Sequence, residues 1–545
     1  MHHSRRRHCG WSPACCEATD YTEFMIQNLK ALVVVLCLSL AVFALAKPVS
    51  LRFTDPADFA RRRAVWITLT IAGFLFPSFW LFVLLAVPLL LWSGRKDSNP
   101  LALYLLLMHV IPPIDVPIPT IGGVNRFFSL DMYRLLSLTV LLPTALHLRR
   151  LSKDSGDGHS KVLEFLLWGY GALQILLFVR PDVPNPFQLH DSATNVLRRA
   201  FLFVIDTYLL YYVASRGTSD RRLMTDSLAT YLLACLILAP MAIFEGLKPW
   251  ALYGNVGSAW GQAFNAHYSF RGGALRAVVS TGHSLALGYL LATALAAWLY
   301  FRKFVDSKLY RIAIPLTLSL GLLFAYSRGP WVGAFLIYLA FKFVAPRGGY
   351  SALIKALALS AALLAILLVS PLGDRVLKVL PFTGGTSQST YNVIYRERLA
   401  ERSLQLVEQH PLLGDQDAYS ALSDLRQGEG IIDFVDTYAQ VAVFYGILGL
   451  FFFAGFMLVA LLKVYRAEKE LQQRDPDLAL VGASLTAGIA GTLVMISSCS
   501  FIFGYAQMFY ILAGLAAAYI QLGRKRLAEP AVLPSAHTGM SPVQV

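Results

Sequence analysis

Apolar residues in this chain come in long blocks, with no sustained alternation and no heptad repeat. Blocks lie at about 30–46, 64–92, 99–112, 131–147, 162–179, 199–215, 225–245, 278–301, 309–326, 329–342, 351–370, 435–462, 480–498 and 502–522. A helix crosses a bilayer with roughly 17–25 apolar residues, so the pattern predicts an all-α polytopic membrane protein of about 12–15 transmembrane helices. The block 64–92 carries Pro77 near its middle and reads as one kinked helix or as a tight hairpin. The blocks 99–112 and 329–342 are short, which implies tilt, local thinning or packing inside the bundle. No internal repeat is visible, so the chain does not read as an inverted-repeat transporter.

Composition supports this. Hydrophobic residues make up 56% of the 545, charged residues only 15%, and mean hydropathy is +0.55. The net charge of +14 resides in short gaps between apolar blocks, where topology-setting charges belong, so nucleic acid is not an expected partner. The six cysteines show neither disulfide nor metal-ligand spacing. His2, His3, His8 and Cys9 likewise lack a recurring ligand spacing, and the start reads as an extension or as preceding a true first Met25.

Basic residues set the sides. Arg302, Lys303, Lys308 and Arg311, then Lys342 and Arg347, then Lys463, Arg466 and Lys469, then Arg524-Lys525-Arg526, fall on one side when the spans alternate. That side is expected to be cytoplasmic. Arg61-Arg62-Arg63 fits poorly if 64–92 is a single span. The organisation expected is a cytoplasmic or disordered tail over 1–29, a helix bundle over 30–371, a large periplasmic loop over 372–434, further spans over 435–523 and a cytoplasmic tail over 524–545. The loop is too short for an independent catalytic domain and is expected to lie as a lid on the helix ends.

Charges within apolar blocks are costly and are functional candidates by default. Arg328 is the only charge between Ile312 and Phe341, in Tyr326-Ser327-Arg328-Gly329-Pro330-Trp331, at a helix break on the outer boundary where a topology-setting Arg does not belong. In the loop, Tyr395 to Gln409 reads as an amphipathic helix. Rotation by 100° per residue sets Arg396 on one stripe with Leu399, Ala400, Ser403 and Val407, and sets Arg398, Glu401, Arg402, Gln405, Glu408 and Gln409 opposite. Arg396 is then either a contact for phosphate or carboxylate or a helix-end cap. Arg271, Arg276 and His283 flank the span starting near 278, with His283 expected one or two turns inside the helix and Arg276 on its face at i, i+7. Asp436, at the start of the 435–462 span, reads equally as a base, a partner for an Arg, or a helix N-terminal acid. Asp415-Gln416-Asp417 resembles the acidic triplet of metal-dependent glycosyltransferases but lies in a Pro/Gly-containing turn.

Several outward-facing arginines over an apolar bundle suit a substrate with a diphosphate head and a lipid tail. Ser327-Arg328-Gly329-Pro330-Trp331, a large outer loop, Arg396 before Pro411-Leu412-Leu413-Gly414, and Tyr445-Gly446-Ile447-Leu448-Gly449-Leu450 in the next span resemble, in this order, the O-antigen polymerase and ligase superfamily. The stretch from Arg276 to Gly288 resembles its exopolysaccharide polymerase branch.

The resemblance implies a GT-C-like fold and a metal-independent inverting glycosyltransferase without cofactors in the bacterial inner membrane. Its donor would be an undecaprenyl-diphosphate-linked oligosaccharide, and its partners membrane lipid and, where present, chain-length regulator and export proteins. Carried over by position, Arg328 and Arg396 would neutralise the diphosphate and Arg276 would assist. Asp436 or His283 would orient or deprotonate the acceptor hydroxyl. Ligases of this superfamily resemble one another in a His-Asn pair at the start of the span after the loop, where this chain has Val435-Asp436, so a polymerase is expected ahead of a ligase. A transporter of the same lipid-linked oligosaccharide is the competing class. It gives no account of the amphipathic outer loop.

Overall fold

The computed structural model describes residues 13–118, 128–152, 160–177, 193–261, 270–271, 274–346, 348–369, 387–427, 432–502 and 504–529. The chain is an all-α polytopic membrane protein. Among the described residues seven helices are long and apolar enough to cross a membrane, fewer than the expected 12–15 by that criterion. The other apolar blocks form shorter helices or helices of lower hydropathy packed among these.

The first helices are α1 (Pro13–Ser50), α2 (Pro56–Leu75), α3 (Phe79–Lys96) and α4 (Pro100–Leu107). The block 64–92 is a hairpin: α2 stops at Phe76, Pro77 follows, and the Ser78 side chain caps α3 by accepting from Trp80 N at 3.3 Å. Next come α5 (Met132–Leu136) and α6 (Leu142–Ser152), joined by a π-turn, then α7 (Lys161–Leu176). A second π-turn joins α8 (Ala193–Phe203) to α9 (Leu209–Gly217), followed by α10 (Arg221–Leu247) and α11 (Gly254–Ala259). The second half holds α12 (Ser284–Phe301), α13 (Lys308–Phe324), α14 (Arg328–Val344), α15 (Tyr350–Val369), α16 (Ser387–Gln409), α17 (Ala418–Ala421), α18 (Thr437–Leu471), α19 (Pro476–Ile496) and α20 (Tyr505–Ala528).

The hairpin accounts for Arg61-Arg62-Arg63, because it brings them to the end of the bundle that holds the other basic loops. Arg62 is 2% exposed. Its guanidinium donates to both Asp97 oxygens at 2.7 and 3.0 Å and to both Asp226 oxygens at 2.9 Å. Burying that charge is tolerable only because every direction of the fork meets an acceptor. Arg52 with Asp306, Lys303 with Asp477, and Arg221 with Asp475 and Asp477 tie further loops together at this basic end.

Hydroxyl–carbonyl contacts lock the centre of the bundle. Tyr231 reaches Leu290 O at 2.9 Å, Tyr289 reaches Met495 O at 2.8 Å, and Ser484 reaches Ala296 O at 2.6 Å. These join α10, α12 and α19 with polar groups that hydrocarbon would otherwise leave unsatisfied.

The loop before α18 has its own small core of Tyr395, Leu399, Ala418, Leu422, Leu425, Ile432 and Phe434, closed on Phe444 of α18. Its joint with the bundle runs through a break in α18, which the apolar block 435–462 does not foretell. Gly446 has φ 67° and ψ −170°, so the helical ladder opens there. The turn 411–415 fills the opening: Ile447 N donates to Pro411 O at 2.8 Å, Leu448 N to Leu412 O at 3.3 Å, and Asp415 N to Val443 O at 2.7 Å. The Gln416 amide adds a bond to Phe444 O at 3.2 Å. Backbone groups freed by the break thus find partners in the loop.

Candidate functional site at the lid end of the bundle

The segment 276–283 is not the start of a helix. Two of its residues are left-handed, Val279 at φ 51° and Gly282 at φ 75°. Its amides bond outside the segment: Ala277 N to Phe324 O, and Val278 N and Val279 N to the buried Glu245 carboxylate, each at 2.9 Å. The span starts at Ser284, and His283 is its N-cap, accepting from Leu285 N through Nδ1 at 3.1 Å. His283 therefore stands at the helix mouth and not one or two turns within. It still neighbours Arg276, by the fold of the loop and not by helical spacing.

Arg276 reaches across to the break between α13 and α14. Its Nη2 donates to Ser327 Oγ at 2.9 Å. Ser327 is 2% exposed and Tyr326 before it is left-handed at φ 47°. Arg328 is the first residue of α14 and is half-buried. Among the described residues it forms no hydrogen bond or ion pair, in contrast to Arg62. A cation in the first turn of a helix also lies against the helix dipole, so guanidinium and amide ends add their positive potentials.

The lid brings the remaining candidates to the same end. The buried stripe of α16 is Tyr395, Leu399 and Ser403. Arg396 and Ala400 are exposed and Val407 is half-buried, so Arg396 flanks the buried stripe instead of sharing it. The lid's small core draws Tyr395 inward and turns its neighbour out. Arg396 acts through space on Asp436 and on the Cys499 thiol. Arg402, by contrast, is spent on Ala421 O at 3.2 Å and Asp424 at 3.6 Å.

Asp436 caps α18, with one carboxylate oxygen accepting from Tyr438 N at 2.8 Å and Ala439 N at 3.3 Å. Burial raises its pKa above the ordinary carboxylate value, opposed by those amides and by Arg396. Burial, and then the charge of Arg276, push His283 down to about 4, with Asp433 opposing. Its imidazole is neutral at pH 7. With Nδ1 accepting, Nε2 carries the proton and can donate.

Sequence reasoning missed three contributors. Asp433 is bonded by the Ser500 hydroxyl, and its backbone N and O both engage the Tyr395 hydroxyl at 3.1 Å. It acts on His283 and on Cys499, linking the two sides of the site. Ser327 stood beside Arg328 in a motif already singled out, but a buried hydroxyl carries no charge to flag it. Glu245 was detectable by the rule that flagged Arg328, since it is an acid in an apolar block. The acidic triplet is a local turn: Asp415 accepts from Asp417 N at 2.9 Å, and Asp417 from the Ser420 hydroxyl at 2.7 Å.

Residues 313–454 match the family model described as O-antigen ligase. This segment belongs to the O-antigen polymerase and ligase superfamily. The superfamily segment runs from α13 to just beyond the Gly446 break, and so contains Arg328, Arg396, Asp433, Asp436 and both halves of the lid joint. Arg276, His283 and Glu245 lie outside it. No curated protein matches the chain.

Proposed function

We propose that this chain polymerises undecaprenyl-diphosphate-linked oligosaccharide repeat units, of an exopolysaccharide or an O-antigen, at the periplasmic face of a bacterial inner membrane. The observation that carries the reading is Arg328, a half-buried guanidinium at a helix N-terminus with no partner among the described residues, one residue from the Ser327 hydroxyl that holds Arg276. Two guanidiniums so arranged suit a diphosphate.

In this reading an acceptor hydroxyl attacks the anomeric carbon of the donor glycan. The new glycosidic bond forms as the bond to the diphosphate oxygen breaks, with inversion, and undecaprenyl diphosphate leaves. Arg328, Arg276 and, from the lid, Arg396 stabilise the charge that grows on the leaving group. Asp436 takes the hydroxyl proton on the oxygen not used for capping. His283, neutral and with Nδ1 engaged, orients the acceptor by donating from Nε2. No divalent metal takes part, and a chelator is expected to leave the rate unchanged.

With the basic end in the cytoplasm, the site and lid lie outside. The start of α1 then lies outside too, because Asn28 bonds Phe74 O at the far end of α2 while Arg52 meets Asp306 at the basic end. In this reading the described start of α1 is outside, whereas a cytoplasmic or disordered tail was expected over 1–29.

The description of the matching family favours a second reading, transfer of finished glycan to lipid A core. Val435-Asp436 in place of the His-Asn pair supports the polymerase. Glycan extracted with and without the gene separates them: loss of long chains from the lipid carrier supports polymerisation, whereas long carrier-linked chains that fail to reach the core mark a ligase. Unchanged glycan in both fractions overturns both.

A further inference from the structure

We infer that Glu245 is a positioning residue, whose buried carboxylate sets the 276–283 segment and through it the Arg276 guanidinium and the His283 ring. Glu245 lies near the lid end of α10 and is 1% exposed. One oxygen accepts from Leu252 N at 2.8 Å, and the other from Val278 N and Val279 N at 2.9 Å each. Two successive amides converging on one oxygen form an anion-binding nest, and here the anion is built into the chain. The nest requires Val279 at φ 51°, a region that β-branched residues rarely enter unless the surroundings impose it.

Among the described residues no other charged group bonds these amides. Beside the Arg276 guanidinium on Ser327, the segment is tied by neutral bonds from Ala277 N to Phe324 O, from Ser280 Oγ to His109 O, and from Thr281 Oγ1 to Val278 O and His283 O. Removing the carboxylate would leave three N–H groups without their acceptor, those of Leu252 and Val279 buried and that of Val278 half-buried, and the segment would relax toward an ordinary backbone conformation. Arg276 would then lose its register on Ser327, and His283 its place as the cap of α12. Glu245 itself is engaged with backbone, so it acts through the segment and not on substrate.

The inference rests on the proposed role of Arg276 only for its effect on glycan, so the test separates the two. The full-length chain is prepared in membranes with Ser280→Cys as reporter and Cys235 as its sole native cysteine. Both positions are buried, and Cys235 lies deeper in α10. A small maleimide is added from both faces, and labelling at each site is read by peptide mapping. Glu245→Leu is expected to speed labelling at position 280 roughly tenfold or more, and Glu245→Gln by less, since an amide keeps one acceptor oxygen. Cys235 stays unlabelled. Unchanged labelling at 280 in both variants overturns the inference, as does equal labelling of both cysteines, which marks general unfolding. Faster labelling at 280 accompanied by normal polymer supports the inference and overturns the assignment of Arg276 to the reaction. The kinetic expectation is that Glu245→Gln lowers turnover and raises KM for the lipid-linked donor, and adds nothing further to Arg276→Ala. A full additional loss in the double variant overturns action through Arg276.

Discussion

Gly414 and Gly446 each lie against the backbone next to the other, where neither has room for a side chain. Both are left-handed, at φ 69° and 67°. A Cβ on Gly414 would come within 2.4 Å of Val443 O, and one on Gly446 within 2.3 Å of Leu412 O. The turn of the lid and the break in α18 are therefore one backbone joint. Alanine at either glycine should free the lid from α18, with a left-handed penalty of roughly 1–2 kcal/mol per residue added to the collision. Protease sensitivity of the lid should rise for Gly414→Ala and Gly446→Ala. It should stay unchanged for Gly455→Ala, whose added Cβ meets only Leu166 at 3.8 Å. Equal sensitivity in all three would show that the joint does not hold the lid.

Arg328→Ala and Arg396→Ala should each abolish long polymer at matched membrane levels, while Arg398→Ala leaves most of it. Loss of a donor to a developing diphosphate should cost about 10²–10³ in rate, by analogy with an oxyanion donor. Arg398 is exposed and has no part in the through-space action of Arg396 on Asp436 and Cys499. Losing an exposed charge usually costs 1 kcal/mol or less. Lysine at 328 or 396 should also be impaired, because it lacks the planar fork. The readout is the length ladder, and identical ladders for Arg396→Ala and Arg398→Ala would remove Arg396 from the reaction.

The pH–rate profile should carry an acid limb from Asp436. Its pKa is raised by burial, so the base form is lost as pH falls, and at a higher pH than for an ordinary carboxylate. His283 should add no limb near its ordinary value of 6.5, because burial and Arg276 hold it at about 4 and it stays neutral until pH approaches that value. Asp436→Asn should remove the acid limb together with most of the rate. His283→Asn, which can still cap α12, should retain more activity than His283→Ala. A limb near 6.5 that disappears in His283→Asn would reverse the two roles.

Alkaline phosphatase fused after Gln427 should be active, and so should a fusion in which it precedes residue 24 behind an export signal. The first follows from the basic loops and the second from α1, whose Asn28 end lies beside Phe74. An inactive first fusion would move the proposed chemistry to the cytoplasmic face. An inactive second fusion would show that α1 does not cross as its contacts with α2 imply.

The apolar blocks determined the fold class by themselves, because a run of apolar residues that long has few stable states other than a buried or lipid-facing helix. Arg328 was legible for a related reason: a lone charge in such a run stands out without knowledge of its neighbours. The joint of Gly414 with Gly446 could not be read that way, because a helix break inside an apolar block leaves hydrophobicity unchanged and shows itself only in the partners of the freed amides. Nor could helical spacing foresee that Arg276 and His283 meet through a left-handed loop, since the bonds that bend it come from Glu245, more than thirty residues away. Arg396 shows the same limit, because its helix was legible while its exposure was decided by the side chains of the lid core that drew Tyr395 inward. Local pattern sets which residues are buried along one element, and contacts between elements set which of them meet.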